Sequence, residues 1–196
     1  MAPSSSALAP REPNYETYPF TDAQIYDGYA QSAMVGNGYG DHIIPQRPLY
    51  VVMLVLMHTI AGQNYDSVIF VQSLLLAFFP VLLYLFGKDF FGRPVGIAIA
   101  ILAILRDVTS NLAAPFTGNL SYSKLYLSEL PTAMMLALFL LIGMRWIKTG
   151  FPFFMGFAMG GILGVGILIR TQVVAAFPLL ILFALLARPR SILPAL

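Results

Sequence analysis

Between Ser67 and Ala187 the chain passes through one apolar stretch after another, each about as long as a bilayer is thick and parted from the next by a few polar residues. A helix rises ~1.5 Å per residue, so about 20 such residues cross a ~30 Å hydrocarbon core. With 58% hydrophobic and 10% charged residues, and a mean hydropathy of +0.78, the chain lacks the polar side chains to cover that surface in water. The pattern predicts an all-α membrane protein, a polytopic transmembrane helix bundle of about five spans plus an interfacial helix.

The first span runs from Ser67 to Phe86, broken only by Gln72, Ser73 and Pro80. It ends at the turn Lys88 to Arg93, after which Pro94 suits the first turn of a second helix that stays apolar to Leu105. Arg106 and Asp107, read as an interfacial pair, mark its arrival at the far interface and open a loop to Ser128. Leu130 to Trp146 is the third span, with Ser128 as its cap and Pro131 tolerated in the first turn. Phe153 to Ile169 and Val173 to Ala187 are the fourth and fifth. Lys88 with Arg93, Arg145 with Lys148, and Arg188 with Arg190 fall on alternate turns, which makes that face cytoplasmic. Residues 1–66, the loop after Arg106, and the turn at Arg170 and Thr171 then share the outer face.

Four regions follow: a polar N-terminal segment (1–20), an outer-face loop with interfacial helices (21–66), the transmembrane region (67–187) and a cytoplasmic tail (188–196). The first carries no apolar run fit for a signal peptide, so a later segment must direct insertion. Leu49 to Ala61 is apolar but too short to cross, and reads as a helix lying against the outer leaflet. Gly156, Gly160 and Gly164 repeat at small-xxx-small spacing, which predicts close approach of another helix to that face.

The net charge of +2 is scattered, which argues against nucleic acid as a partner. With no cysteine there is no disulfide, thiolate metal site or thiol nucleophile. Phosphate-loop, dinucleotide-binding, zinc-protease and serine-hydrolase signatures are absent from the sequence. His42 and His58 lack a second ligand at helical spacing, so no metal site is assigned to them.

What remains is a set of polar groups on the outer face. Asp22, Tyr26 and Ala30 fall on one face of a short helix, which Thr21 or Asp22 could simply cap. Glu129 opens a span, where the helix dipole favours its anion. Arg47 precedes Pro48 and either binds a phosphate or snorkels toward headgroups. Arg170 stands against the charge bias between two nearly all-apolar spans, a position that calls for an anionic partner.

In order and spacing, Thr-Asp-Ala-Gln-Ile-Tyr at 21–26, Gly36 before Gln46-Arg47-Pro48-Leu49-Tyr50, Phe90-Phe91-Gly92-Arg93, Leu127-Ser128-Glu129-Leu130-Pro131, and Gly160 to Gly166 running into Ile169-Arg170-Thr171 form a set. The set resembles the membrane glycosyltransferases of the C-type fold, the group containing protein O-mannosyltransferases and the lipid A aminoarabinose transferase. The resemblance implies transfer of a sugar from a polyprenyl-phosphate carrier to an unspecified acceptor at the outer face, by inverting displacement without a covalent enzyme intermediate. It implies that Asp22 is the base and Glu129 a second acid, with Arg47, Arg170 and Tyr26 near the carrier phosphate. No cofactor is required by these residues, although the group admits a divalent metal. It also implies a multi-pass protein of the cell (inner) membrane, C-terminus cytoplasmic, with membrane lipid and the carrier-linked sugar as partners. Leu49 stands where a second proline often occurs. Members begin with a span before the acidic loop and continue through more helices, so the chain is expected to be an N-terminal part whose missing helices are further partners. A non-catalytic membrane scaffold or a transporter subunit remains the alternative from the residues themselves; the scarcity of polar groups mid-span weighs against the transporter.

Overall fold

The computed structural model describes residues 22–39, 44–117, 125–150 and 152–186. The expectations for residues 1–20, His42 and the Arg188/Arg190 tail therefore lie outside the described residues. Among the described residues eight α-helices follow in order: α1 (Asp22–Met34), α2 (Pro48–Ala61), α3 (Tyr65–Leu76), α4 (Phe78–Phe91), α5 (Arg93–Thr117), α6 (Glu129–Lys148), α7 (Phe153–Ile169) and α8 (Phe177–Leu186), the last preceded by a 3-10 turn at Thr171–Ala176. No strand occurs among the described residues. Three stretches, Tyr65–Phe91, Arg93–Leu112 and Glu129–Lys148, are long and apolar enough to cross a membrane, and α2, α7 and the segment Thr171–Leu185 are shorter apolar helices. By helix length and apolarity the chain is a membrane protein.

The local chemistry sets these boundaries. Asn64 caps α3 by accepting from the Ser67 N–H at 3.2 Å. The first span then breaks at Ala77, because Pro80 has no N–H for the Leu76 carbonyl and its ring crowds that oxygen. Gly92, at φ +93°, makes the turn into α5. Directly beside it α4 and α5 cross at backbone contact: a Cβ on Gly96 would stand 2.7 Å from the Tyr84 carbonyl oxygen, and one on Gly87 2.8 Å from the Gly96 Cα. Only glycine fits there. Among the described elements α5 packs against α4 alone.

Two cores form. One gathers α1, α2, the start of α3 and the strap Leu125–Leu127, with Ile169 of α7 beneath. The other gathers α6, α7, the 3-10 turn and α8 around Phe139, Met159, Leu163 and Phe183. Trp146, near the end of α6, lies on Gly156, near the start of α7, while Arg170 just past α7 meets Glu129 at the start of α6. The two helices are thus antiparallel along their whole length.

Several expectations are corrected. The second helix continues past Asp107 to Thr117, so the first half of the anticipated outer loop is helical. Polar side chains there serve the helix: Thr109 Oγ1 donates to the Leu105 carbonyl at 2.8 Å, and Asn111 donates to Asp107 at 3.4 Å. Arg106 and Asp107 form no ion pair with each other, since adjacent helical positions diverge. Ser128 provides no side-chain cap; its backbone already lies in the αR region, and its hydroxyl serves Arg47 instead. Gly160 and Gly164 have no neighbour within 4 Å of a built Cβ among the described residues, because α6 approaches α7 through its own Gly143 against Met159. Small residues permit close approach without requiring it. The fifth apolar segment starts as a 3-10 turn, with α8 only from Phe177.

Candidate functional site at the start of α6

The strap from Leu125 to Ser128 is buried throughout, so its backbone groups need partners. Gln72, fully buried on α3, donates to the Leu125 carbonyl at 2.6 Å and accepts from Tyr50 at 3.3 Å. Tyr126 packs on Tyr65 with ring centroids 4.7 Å apart and directs its hydroxyl to the Tyr65 carbonyl at 3.5 Å. The polar interruption in the first span therefore fixes where α6 begins, and with it Glu129.

Around that start the chain assembles four charged groups. Arg47, at the mouth of α2, donates from NH1 to the Ser128 hydroxyl at 2.7 Å and sets its guanidinium 4.8 Å from the ring centre of Tyr26. Arg170 pairs through NH1 with Glu129 Oε1 and donates from Nε to Gln172 at 2.9 Å. The other carboxylate oxygen of Glu129, Oε2, is buried without a hydrogen-bond partner among the described residues. Tyr26 is buried on α1 and meets Tyr50 edge-on at 5.5 Å. Asp22 is the first residue of α1 and is exposed; the buried face of that helix is Ala23, Tyr26 and Ala30, with Asp22 at its margin.

The electrostatics tie these groups together. Burial raises the pKa of the Tyr26 phenol; Arg47 lowers it, Asp22 and Glu129 raise it, and Arg170 lowers it. One phenol thus feels all four charges, which come from α1, α2, α6 and the α7 terminus. All five residues singled out in the sequence are brought to one neighbourhood.

A second polar cluster had no clear sequence signal. His58, buried on α2, bonds Asp27 of α1 at 2.7 Å through Nε2 and the Gly62 carbonyl at 3.1 Å through Nδ1. Burial lowers the His58 pKa, but the Asp27 hydrogen bond, the Asp27 charge and the Gly62 carbonyl together outweigh it, and the net shift is upward. With acceptors on both nitrogens the contacts favour the imidazolium form, and the ring clamps α1 to α2. No group of three or more His, Asp or Glu side chains that could hold a metal lies together among the described residues, so the donors for a divalent metal are not assembled there. Comparison with protein-family models, curated proteins and solved structures finds no match to this chain.

Proposed function

We propose that the chain is a C-type-fold membrane glycosyltransferase, a bundle of about five spans with α1 and α2 lying at the outer membrane surface, and that the Tyr26 neighbourhood takes the phosphate of a polyprenyl-linked sugar. The observation that carries the reading is the unequal state of two arginines at one phenol. Arg170 is neutralised by Glu129, whereas Arg47 is held by a neutral hydroxyl and an aromatic face, with no carboxylate partner among the described residues. A guanidinium has five donors, and one is spent on Ser128, so Arg47 retains capacity for a bidentate anion. The antiparallel return of α7 beside α6 supports a further crossing, since it brings Arg170 back to the level of Glu129.

In the displacement an acceptor oxygen or nitrogen attacks the anomeric carbon as its bond to the carrier phosphate oxygen breaks. The bonding electrons leave with the phosphate, whose charge Arg47 and Arg170 stabilise, and the acceptor proton passes to Asp22. Glu129 positions Arg170.

The test is retention of a fluorescent polyprenyl phosphate against the matching uncharged polyprenol by the chain in lipid nanodiscs. The phosphate is expected to be retained about tenfold better, and Arg47→Ala to remove most of that difference, as a charged hydrogen bond is worth roughly 1.5–3 kcal/mol. Equal retention of the two probes by the unmodified chain contradicts the reading.

A further inference from the structure

The glycine contact that joins α4 to α5 lies at the Lys88 end of those helices, and among the described elements α5 packs its backbone closely against α4 alone. Toward the Glu129 end the helices leave a cavity of about 1110 Å³ between α5 on one side and α3 and α4 on the other, closed at the back by the first turn of α6. Its lining is largely apolar, with Leu83 and Ile99 half-buried in it, and Ala77 and Pro80 at the helix break also form part of its wall. Its side is open, for Phe70, Val81, Leu102, Ile104 and Val108 in its walls are all exposed and apolar. The volume lies at the top of the range of small-molecule sites, roughly 300–1,000 Å³, and suits an occupant with a long apolar chain.

The other end is polar and its charge has a sign. Asp66, Asp107 and Glu129 line it with the cation Arg106, and because Glu129 is paired with Arg170 the balance is one carboxylate in excess. Glu129 is shared with the site described above: Oε1 holds Arg170, while Oε2 is buried and lacks a hydrogen-bond partner among the described residues. A surplus of carboxylates repels a phosphate head and accepts from hydroxyl or ammonium donors. The two polar environments around Glu129 therefore differ in kind, with arginines on the Tyr26 side and carboxylates on the groove side.

We propose that the α3/α4/α5 groove binds a membrane amphiphile whose head carries hydrogen-bond donors, a hydroxyl or an ammonium, and which enters sideways from the bilayer. Resting on the transfer reading above, this amphiphile is the sugar acceptor: its chain lies along Leu83 and Ile99, and its head binds at Glu129, the carboxylate that the groove shares with the Tyr26 neighbourhood where Asp22 takes the acceptor proton. A polypeptide acceptor would not need the groove.

The test uses the full chain in nanodiscs with three photoreactive probes of one chain length: a diazirine-bearing alkyl alcohol, the amine, and the phosphate monoester of the alcohol. Cross-linked peptides are mapped by mass spectrometry. The alcohol and the amine are expected to label α3, α4 and α5 within 66–111, with the phosphate ester about tenfold weaker, a difference of ~1.4 kcal/mol from like-charge repulsion. Leu102→Trp fills the groove from an exposed position and should abolish that labelling while leaving the melting temperature unchanged. Equal labelling by all three probes, or labelling spread equally over exposed faces such as Phe153 and Phe157 of α7, overturns the proposal. Failure of the transfer reading is told apart by the polyprenyl-phosphate experiment. If selective groove labelling persists while that carrier is not preferred over polyprenol, the amphiphile site stands and its role as acceptor site falls.

Discussion

Both ends of α6 carry a carboxylate paired with an arginine. At the Lys148 end, Asp89 of α4 bonds Arg145 at 2.7 Å, the Lys148 ammonium donates to the Asp89 carbonyl, and the arginine is 41% exposed. At the Glu129 end, Arg170 is 22% exposed, its partner carboxylate keeps a buried unbonded oxygen, and a second arginine and a buried phenol stand beside the pair. Beside the first end α4 meets α5 at backbone contact between Gly87 and Gly96, and the ion pair that joins α4 to α6 there adds little, since exposed pairs are worth about 0–1 kcal/mol. The second is fastened by the hydrogen-bonded strap and aromatic packing, which hold charges close without neutralising them all. Two pairs of the same chemistry thus form a surface fastening at one end of a helix and part of the candidate site at the other.

Substitutions should separate the two ends. The largest effect is expected from Gly96→Val. Its Cβ would meet the Tyr84 carbonyl and the Lys88 nitrogen, backbone atoms that cannot step aside, so the α4/α5 crossing should lose about 3 kcal/mol or more. Gly160→Val, with nothing within 4 Å among the described residues, is the matched control. Thermal melting in mild detergent should show loss of folded protein for the first and a near-normal transition for the second. Similar behaviour of the two variants would mean that the glycine contact does not hold α4 to α5.

A smaller effect, confined to the other end, is expected from Gln72→Leu. It removes the donor to the Leu125 carbonyl and the acceptor of the Tyr50 hydroxyl, at about 1–3 kcal/mol. Proteolysis should become faster at the strap, while cross-linking between cysteines introduced at positions 89 and 145 stays as efficient as in the parent. Faster cleavage at both ends alike would show that the strap is not local to the site.

Smaller still is the pH effect of the His58 clamp. Its pKa is raised in the folded chain, so its stabilisation is complete below the ordinary histidine value of about 6.5 and fades as pH rises through the folded value. The gap in melting temperature between the parent and His58→Gln should be widest near pH 6, worth about 1 kcal/mol, and should narrow in alkaline buffer. A gap that does not change with pH would mean that the ring is neutral in the clamp.

The sequence revealed the apolar segments because in lipid a helix must be apolar along its length, a signal that tertiary packing cannot hide. It misplaced the end of α5 because Arg106 and Asp107 were read as the membrane boundary, whereas charged residues on an exposed helix face cost little and let the helix run on to Thr117. Asp22, Tyr26, Arg47, Glu129 and Arg170 were legible as a set through alternating topology and resemblance, but their contacts were not. That Ser128 would receive Arg47 rather than cap α6 depends on where α2 docks. The pairing of Asp27 with His58 joins residues 31 positions apart on two different helices, and no periodicity encodes it. The groove was hidden for a related reason, since the gap arises from a tight glycine crossing at one end of α4 and α5, and sequence spacing says nothing of how far the helices part at the other.

The comparison between the two ends is tested most directly by measuring polyprenyl-phosphate affinity in nanodiscs for Arg170→Ala and Arg145→Ala side by side. Both variants delete an arginine from a carboxylate pair on or beside α6. Arg170→Ala is expected to weaken retention by about tenfold or more, in keeping with a charged hydrogen-bonded contact, while Arg145→Ala stays within about twofold of the parent. Equal losses in the two variants, or no loss in Arg170→Ala, would contradict the assignment of the carrier phosphate to the Glu129 end.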